Sequence, residues 1–179
     1  VDLGMPDAND TVGIDSITND APELFPYGST TVTWTATDAS GNSASDTQII
    51  TVVDTVPPTI IAPKDLTIEA TGLEENMITL GDAYAEDIVG VTSLNNNSPE
   101  TFALGETLIT WTATDASGNS ASDTQLVNII DTTMPQITAP SDISIEATSL
   151  NQNTVDLGMP DANDTVGIDS ITNDAPELF

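Results

Sequence analysis

Oxygen ligands are the chemistry this sequence offers. It carries 29 Asp and Glu against a single basic residue, Lys64, and it has neither His nor Cys, for a formal net charge of −28. Without His there is no side chain that ordinarily titrates near neutral pH, and the usual zinc ligand is missing. Without Cys there is no thiolate nucleophile and no disulfide. What remains is carboxylate chemistry. Two carboxylates flanking a cleft can hydrolyse a glycosidic bond, and several together can hold a hard cation such as Ca²⁺, which takes six to eight oxygen ligands. The glycosidase arrangement needs a cleft, and the loops here are short. Nucleic acid is excluded as a partner because binding it requires cations to neutralise phosphate. Anionic membrane surfaces are excluded on the same ground. No apolar run approaches the roughly 20 residues of a membrane span.

The elements that must position these carboxylates are repeated. The stretch TWTATDASGNSASDTQ occurs at 33–48 and again, unchanged, at 110–125, which sets a period of 77 residues. Residues 1–25 return letter for letter at 155–179, two periods on. A period of this length implies whole small domains in tandem, because solenoid units run about 20–50 residues. With hydrophobic residues at 38% and a mean hydropathy of −0.04, the chain has enough patterned apolar surface for folded units, unlike an acidic disordered segment.

Within one unit the pattern is that of strands. TTVTWTAT at 30–37 places Val32, Trp34 and Ala36 on one face and threonines on the other, a half-buried strand with the indole inward. Asp38-Ala39-Ser40-Gly41-Asn42 is a hairpin loop, and 43–53 returns as a second long strand. Val1–Met5, Ile14–Thr18, Leu66–Ala70, Ile78–Leu80 and Val91–Leu94 also alternate as strands. Asp54-Thr55-Val56-Pro57-Pro58 is a short joint whose prolines cannot continue a ladder, and Asp131–Pro135 is its repeat. No helical period is sustained over ten residues. Short strands at intervals of about 8–12 residues indicate an all-β fold of tandem antiparallel β-sandwiches.

Three beads follow. Residues 56–132 form a complete one, 1–55 lack a first strand, and 133–179 lack a closing hairpin. Two organisations fit: a window cut from a longer continuous array, or neighbouring chains that complete one another by strand addition.

The blocks TATDASGNSA, VDTVPPTI, APKDLTIEATG and NDTVGI resemble the hyalin repeat (HYR) family, and the resemblance covers every repeat. It implies an extracellular Ig-like module, related to fibronectin-type sandwiches and associated with adhesion. Two departures stand out: members often carry a disulfide and this chain has no Cys, and Phe25-Pro26-Tyr27-Gly28 keeps an aromatic-proline-glycine corner that Phe102-Ala103-Leu104-Gly105 lacks.

In an Ig-type sandwich the B–C and F–G loops lie at the end where the chain enters. Asp54 in the joint is therefore expected near Asp87 and Asp115 of the following bead, with Asn119 and backbone carbonyls as further ligands. We expect Ca²⁺ there, stiffening the joint in the manner of cadherins; Asp10, Asp38, Asp131 and Asp164 belong to the equivalent, truncated sites. Turn chemistry alone also favours Asp and Asn at these positions, and both readings stand. Asn9, Asn96 and Asn163 begin N-glycosylation sequons. Trp34 and Trp111 are expected in the core, although exposed indoles could serve as sugar platforms. With Lys64 the only basic residue, Lys–Asn isopeptide staples have almost no material to form from. The expectation is a non-catalytic, extracellular structural repeat of a filament, stalk or surface adhesin, on a cell surface or in a secreted matrix. Its partners would be neighbouring repeats or chains, glycans or cell-surface proteins. The alternative is an adhesion or carbohydrate-binding module, or a spacer in a larger secreted enzyme.

Overall fold

The computed structural model describes residues 1–176; residues 177–179, which end the 155–179 copy, lie outside the described residues. The chain divides into two compact units. The first comprises Val1–Val56 with Ala116–Asn119, the second Pro57–Asp115 with Ser120 onward.

In the first unit β1 (Ile14–Asn19), β2 (Gly28–Asp38) and β3 (Ser43–Val52) form one antiparallel sheet in the order β1-β2-β3. The β2–β3 hairpin pairs without interruption from Gly28↔Val52 to Thr37↔Ser43. Gly41 closes its loop at φ +88°, a conformation that costs a side-chain-bearing residue but not glycine. Val32 is fully buried.

The second unit contains a β-sandwich. β4 (Thr59–Ile61) pairs with β6 (Tyr84–Glu86) in one sheet. β5 (Leu66–Glu69), β9 (Ser120–Ile130), β8 (Gly105–Asp115) and β7 (Val91–Asn96) form the other, in that order. The β5–β9 pair is parallel, so the sandwich is not wholly antiparallel as the strand pattern suggested. Pro63 separates β4 from β5 and lets one extended segment serve both sheets.

Period-2 alternation builds the core. Ile109, Trp111 and Ala113 point inward from β8, and Gln125, Val127 and Ile129 from β9, all of them buried. Ala70 and Phe102 complete the apolar cluster, against which Ile60, Leu66, Ile68, Ile78 and Leu80 pack. The opposite face carries hydroxyl pairs across the hairpin: Thr112 with Ser122 and Thr114 with Ser120, both at 3.0 Å.

Two buried amide side chains cross-link this unit, in a chain that has no Cys. Gln125 accepts the Trp111 indole N–H at 3.3 Å and donates to the carbonyls of Lys64 at 2.7 Å and Leu80 at 2.9 Å. Asn76 accepts the Thr71 backbone N–H at 2.7 Å and donates to the carbonyls of Gly72 and Phe102. Each ties strands and loops far apart in sequence, and each is satisfied, the condition under which buried polar groups rigidify a fold.

The expected strands at Val1–Met5 and Ile78–Leu80 form no ladder. Ile78 and Leu80 still turn their side chains to the core, because alternation requires only an extended backbone. Gly81 ends that segment at φ +88°, with Pro63 Cβ only 3.4 Å from where a side chain would begin.

The remainder of the second unit repeats half of this design. β10 (Gln136–Thr138) pairs with β11 (Asp161–Asn163), one period after β4 and β6. Residues 143–146, one period after β5, form no strand.

Candidate functional site

The loop and joint carboxylates first serve their own turns. Asp54 Oδ1 accepts the Val56 N–H at 3.0 Å, Asp87 Oδ1 that of Val89 at 2.8 Å, and Asp10 Oδ1 that of Val12 at 2.8 Å. Asp131 accepts Thr133 N–H at 3.1 Å, and Asp164 accepts Val166 N–H at 2.9 Å. This i→i+2 bond is the Asx turn, and it explains why Asp stands at each of these bends.

Within the first unit, Asp38 is enclosed by its hairpin loop. Its carboxylate accepts the Ser40 and Asn42 backbone N–H groups, both at 2.8 Å, and the Asn42 amide at 2.9 Å. The Asn42 amide, ahead of the backbone donors, holds the carboxyl below its ordinary value. Also in this unit, the Asn119 amide donates to the Asp54 carbonyl at 3.3 Å and to its carboxylate at 3.4 Å. Asn119 thus clamps the joint residue through its N–H groups.

Within the second unit, turn chemistry does not account for everything. Asp115 ends β8 at 2% exposure, and a carboxylate oxygen of Asp87 lies within 4.8 Å of one of its own. Two full negative charges at that separation repel by about 3 kcal/mol at an effective dielectric of about 20. Lys64, the one basic residue, lies beside Gln125, which pairs with Ile109. That is six residues along β8 from Asp115, about 20 Å. Asp131 and Asp164 also come together, lining one cleft of about 280 Å³ with Thr133, Pro135, Gly167 and Asp169. Asp169, which the strand and turn pattern did not single out, lies five residues past Asp164 and lines the same cleft.

Of the glycosylation candidates, Asn9, Asn96 and Asn163 are all exposed. Asn96 Oδ1 accepts the Ser98 N–H at 2.9 Å, and Asn163 pairs with Gln136 in the β10–β11 ladder. Trp111 is a core residue at 7% exposure, as its inward register predicted, and Trp34 is half-buried, bonded to Gln48 at 3.0 Å. Among the described residues no helix is long and apolar enough to cross a membrane.

An all-β chain built on an unbroken long hairpin, with acidic turns and buried amide staples, defines a class of small sandwich modules. The HYR domain model matches it twice, at residues 1–52 and 53–129, and the chain belongs to the HYR domain family. Hyalin of Lytechinus variegatus is 36% identical over 171 residues, covering 88% of this chain and 31% of that protein. Hyalin of Strongylocentrotus purpuratus is 36% identical over 174 residues, covering 88% of this chain and 14% of that protein. The sushi, von Willebrand factor type A, EGF and pentraxin domain-containing protein 1 of Rattus norvegicus is 36% identical over 105 residues, 55% of this chain and 3% of that protein. The chain therefore spans a third or less of these relatives. Among solved structures, extracellular cadherin domains 1–4 of protocadherin gamma B7 match at a TM-score of 0.35 and 12% identity, over 86% of this chain and 51% of that one, too loose a superposition to bear on the fold.

Proposed function

We propose that this chain is a non-catalytic extracellular structural segment, a tandem of HYR modules in a filament, stalk or adhesin, with neighbouring repeats as its main partners. The module boundaries follow the joints, with 56–132 as one full module. The observation that carries the reading is the exact recurrence of whole blocks at 77 residues in a chain whose family is HYR. Repeated identical units suit reach and multivalency, whereas an active site need occur only once. The adhesion-type role draws further support from hyalin and from the sushi-, EGF- and pentraxin-containing relative.

The joints are Ca²⁺ sites in this reading. Asp54, Asp87 and Asp115 would supply carboxylate oxygens, and Asn119 would hold Asp54 in place. Asp131 and Asp164 would do the same one repeat on, with Asp10 and Asp38 at the equivalent positions of the first. The residues fit the ion: the close Asp87–Asp115 pair is a repulsion that a divalent cation converts to attraction, and all the donors are hard oxygens. Titrating Ca²⁺ while following thermal unfolding tests this. A rise in Tm that saturates at millimolar Ca²⁺ and is absent with K⁺ supports the site; an unchanged Tm refutes it. A glycan array probed with the isolated chain tests the competing carbohydrate-binding reading.

A further inference from the structure

The turn Asp164-Thr165-Val166-Gly167 carries one residue that turn chemistry does not explain. Asp164 accepts the Val166 N–H at 2.9 Å, and Gly167 closes the bend at φ +107°, both ordinary uses of those residue types. A β-branched apolar side chain has no such use at the apex of an acidic bend. Yet valine stands there in each copy of the turn, as Val12, Val89 and Val166, one period apart. The Val89 copy is shaped in the same way: Asp87 accepts the Val89 N–H at 2.8 Å and Gly90 takes φ +95°.

Val166 is half-buried, and it packs against the core cluster of the sandwich formed by β4 to β9. Among the described residues, the other partly buried side chains on that cluster belong to residues 60–83; Val166 reaches it from beyond the joint at Asp131–Pro135. The end of the cluster nearest the joint is Ala70, Phe102 and Ile129. The Ala70 N–H donates at 2.7 Å to the carbonyl of Ile130, the last residue of β9, and Ile129 pairs with Gly105, three residues past Phe102. At this floor β5 and β9 end and β8 begins, so the strands themselves do not close it. The chain leaving the floor is anchored: Glu69 accepts the Thr132 backbone N–H at 2.8 Å on one carboxylate oxygen and the Thr132 hydroxyl at 2.9 Å on the other. Asp164 and Gly167 line one cleft with Asp131, Thr133 and Pro135. The turn therefore lies against the joint with its valine on the floor.

Resting on the reading of neighbouring repeats as partners, we propose that this turn is a knob by which one repeat closes the apolar floor of the repeat before it. A sandwich in the array then draws part of its stability from the repeat that follows, the nearest-neighbour coupling by which a chain of repeats becomes more than the sum of its units. The contact is apolar and needs no ion. One branched side chain on an apolar floor sets the separation of two modules and leaves their angle free, so locking the angle falls to the carboxylates beside it.

Amide hydrogen exchange of the whole chain in EGTA tests this with Ca²⁺ out of the comparison. Val166→Asp keeps the backbone N–H that Asp164 holds and sets a charge on the floor, whereas Thr165→Asp adds the same charge at the exposed position beside it. Val166→Asp should speed exchange at the Ala70 and Phe102 amides, bonded to the Ile130 and Asn76 carbonyls, by about fivefold, the Boltzmann factor for losing the burial of about half a valine. The β2–β3 amides of the first unit should not change and serve as the internal reference. Val166→Ala, which removes the knob without adding charge, should shift the floor amides in the same direction, and Thr165→Asp should leave them alone. No acceleration by Val166→Asp, equal acceleration by Thr165→Asp, or an effect that Val166→Ala does not share overturns the proposal. The Ca²⁺ titration is decided apart from this, since no Ca²⁺ is present, and so is the filament reading, which turns on whether the length of an array grows with its repeat number.

Discussion

Replacing Gln125 with Met keeps the volume of a fully buried side chain and removes three hydrogen bonds. The indole N–H of Trp111 and the carbonyls of Lys64 and Leu80 then face an apolar side chain. A buried polar group stripped of its partner costs about 1–3 kcal/mol. Three of them sum to about 3–6 kcal/mol, allowing for some relaxation. A module of about 77 residues has a total stability of about 4–12 kcal/mol, so the substitution removes a large share of it. At about 4 °C per kcal/mol for a domain of this size, Tm falls by about 12 °C or more. The matched control is Gln48→Met in the first unit. Gln48 accepts from Trp34 at 3.0 Å and donates to Leu3 at 3.3 Å from a half-buried position, so about 1 kcal/mol is expected. Guanidinium unfolding followed by tryptophan fluorescence reads both variants. A Gln125→Met protein within about 0.5 kcal/mol of the parent would refute the claim that the buried amide holds these segments together.

Other outcomes follow from the same geometry. Asn76→Ala should cost about 2–4 kcal/mol by chemical denaturation, because it strips the Thr71 N–H and two carbonyls of their bonds; a loss below about 1 kcal/mol contradicts this. Asp123 is held below its ordinary value of 3.8, first by the Ala62 backbone N–H and then by that of Thr124. A depressed carboxyl stabilises the fold above its unfolded pKa, and that contribution disappears as pH falls through the lower folded value. The stability gap between the parent and Asp123→Asn should therefore be constant above about pH 5 and close below pH 3.8; a gap that persists at about pH 2 refutes it. Asp87→Asn keeps the turn bond to Val89 but removes one of two close charges. It should raise Tm in EGTA and erase the Ca²⁺-dependent rise; at 100-fold excess over Kd the lost increment is about 2.7 kcal/mol. A variant that still responds to Ca²⁺ as the parent does removes Asp87 from the site.

The hairpin was plain in the letters because TTVTWTAT alternates without a break and the loop carries Asp, Gly and Asn in order. β6 escaped notice because Tyr84–Glu86 offers only Ala85 as an inward residue, too short a signal for any periodicity. The converse error fell on Ile78–Leu80, where alternation correctly gave the inward side chains and wrongly implied a ladder. Gln125 was readable in retrospect: it shares the inward register of Val127 and Ile129, and a polar residue on such a face demands partners. What the letters cannot give is which carbonyls answer it, since Lys64 and Leu80 are 61 and 45 residues away. The acidic turns were legible as turns, and the placing of the Asp87 and Asp115 loops at one end of the sandwich was expected from its layout; the separation of their carboxylates, within 4.8 Å, depends on how the chain leaves the Asp87 bend and was not.

Electron microscopy of a recombinant array of many 77-residue repeats, with and without chelator, tests the structural role most directly. In millimolar Ca²⁺ we expect straight, extended rods with one axial period per repeat, on the order of the 30–35 Å length of its long strands, bending at the joints once EGTA is added. Compact particles whose length does not grow with repeat number would contradict it.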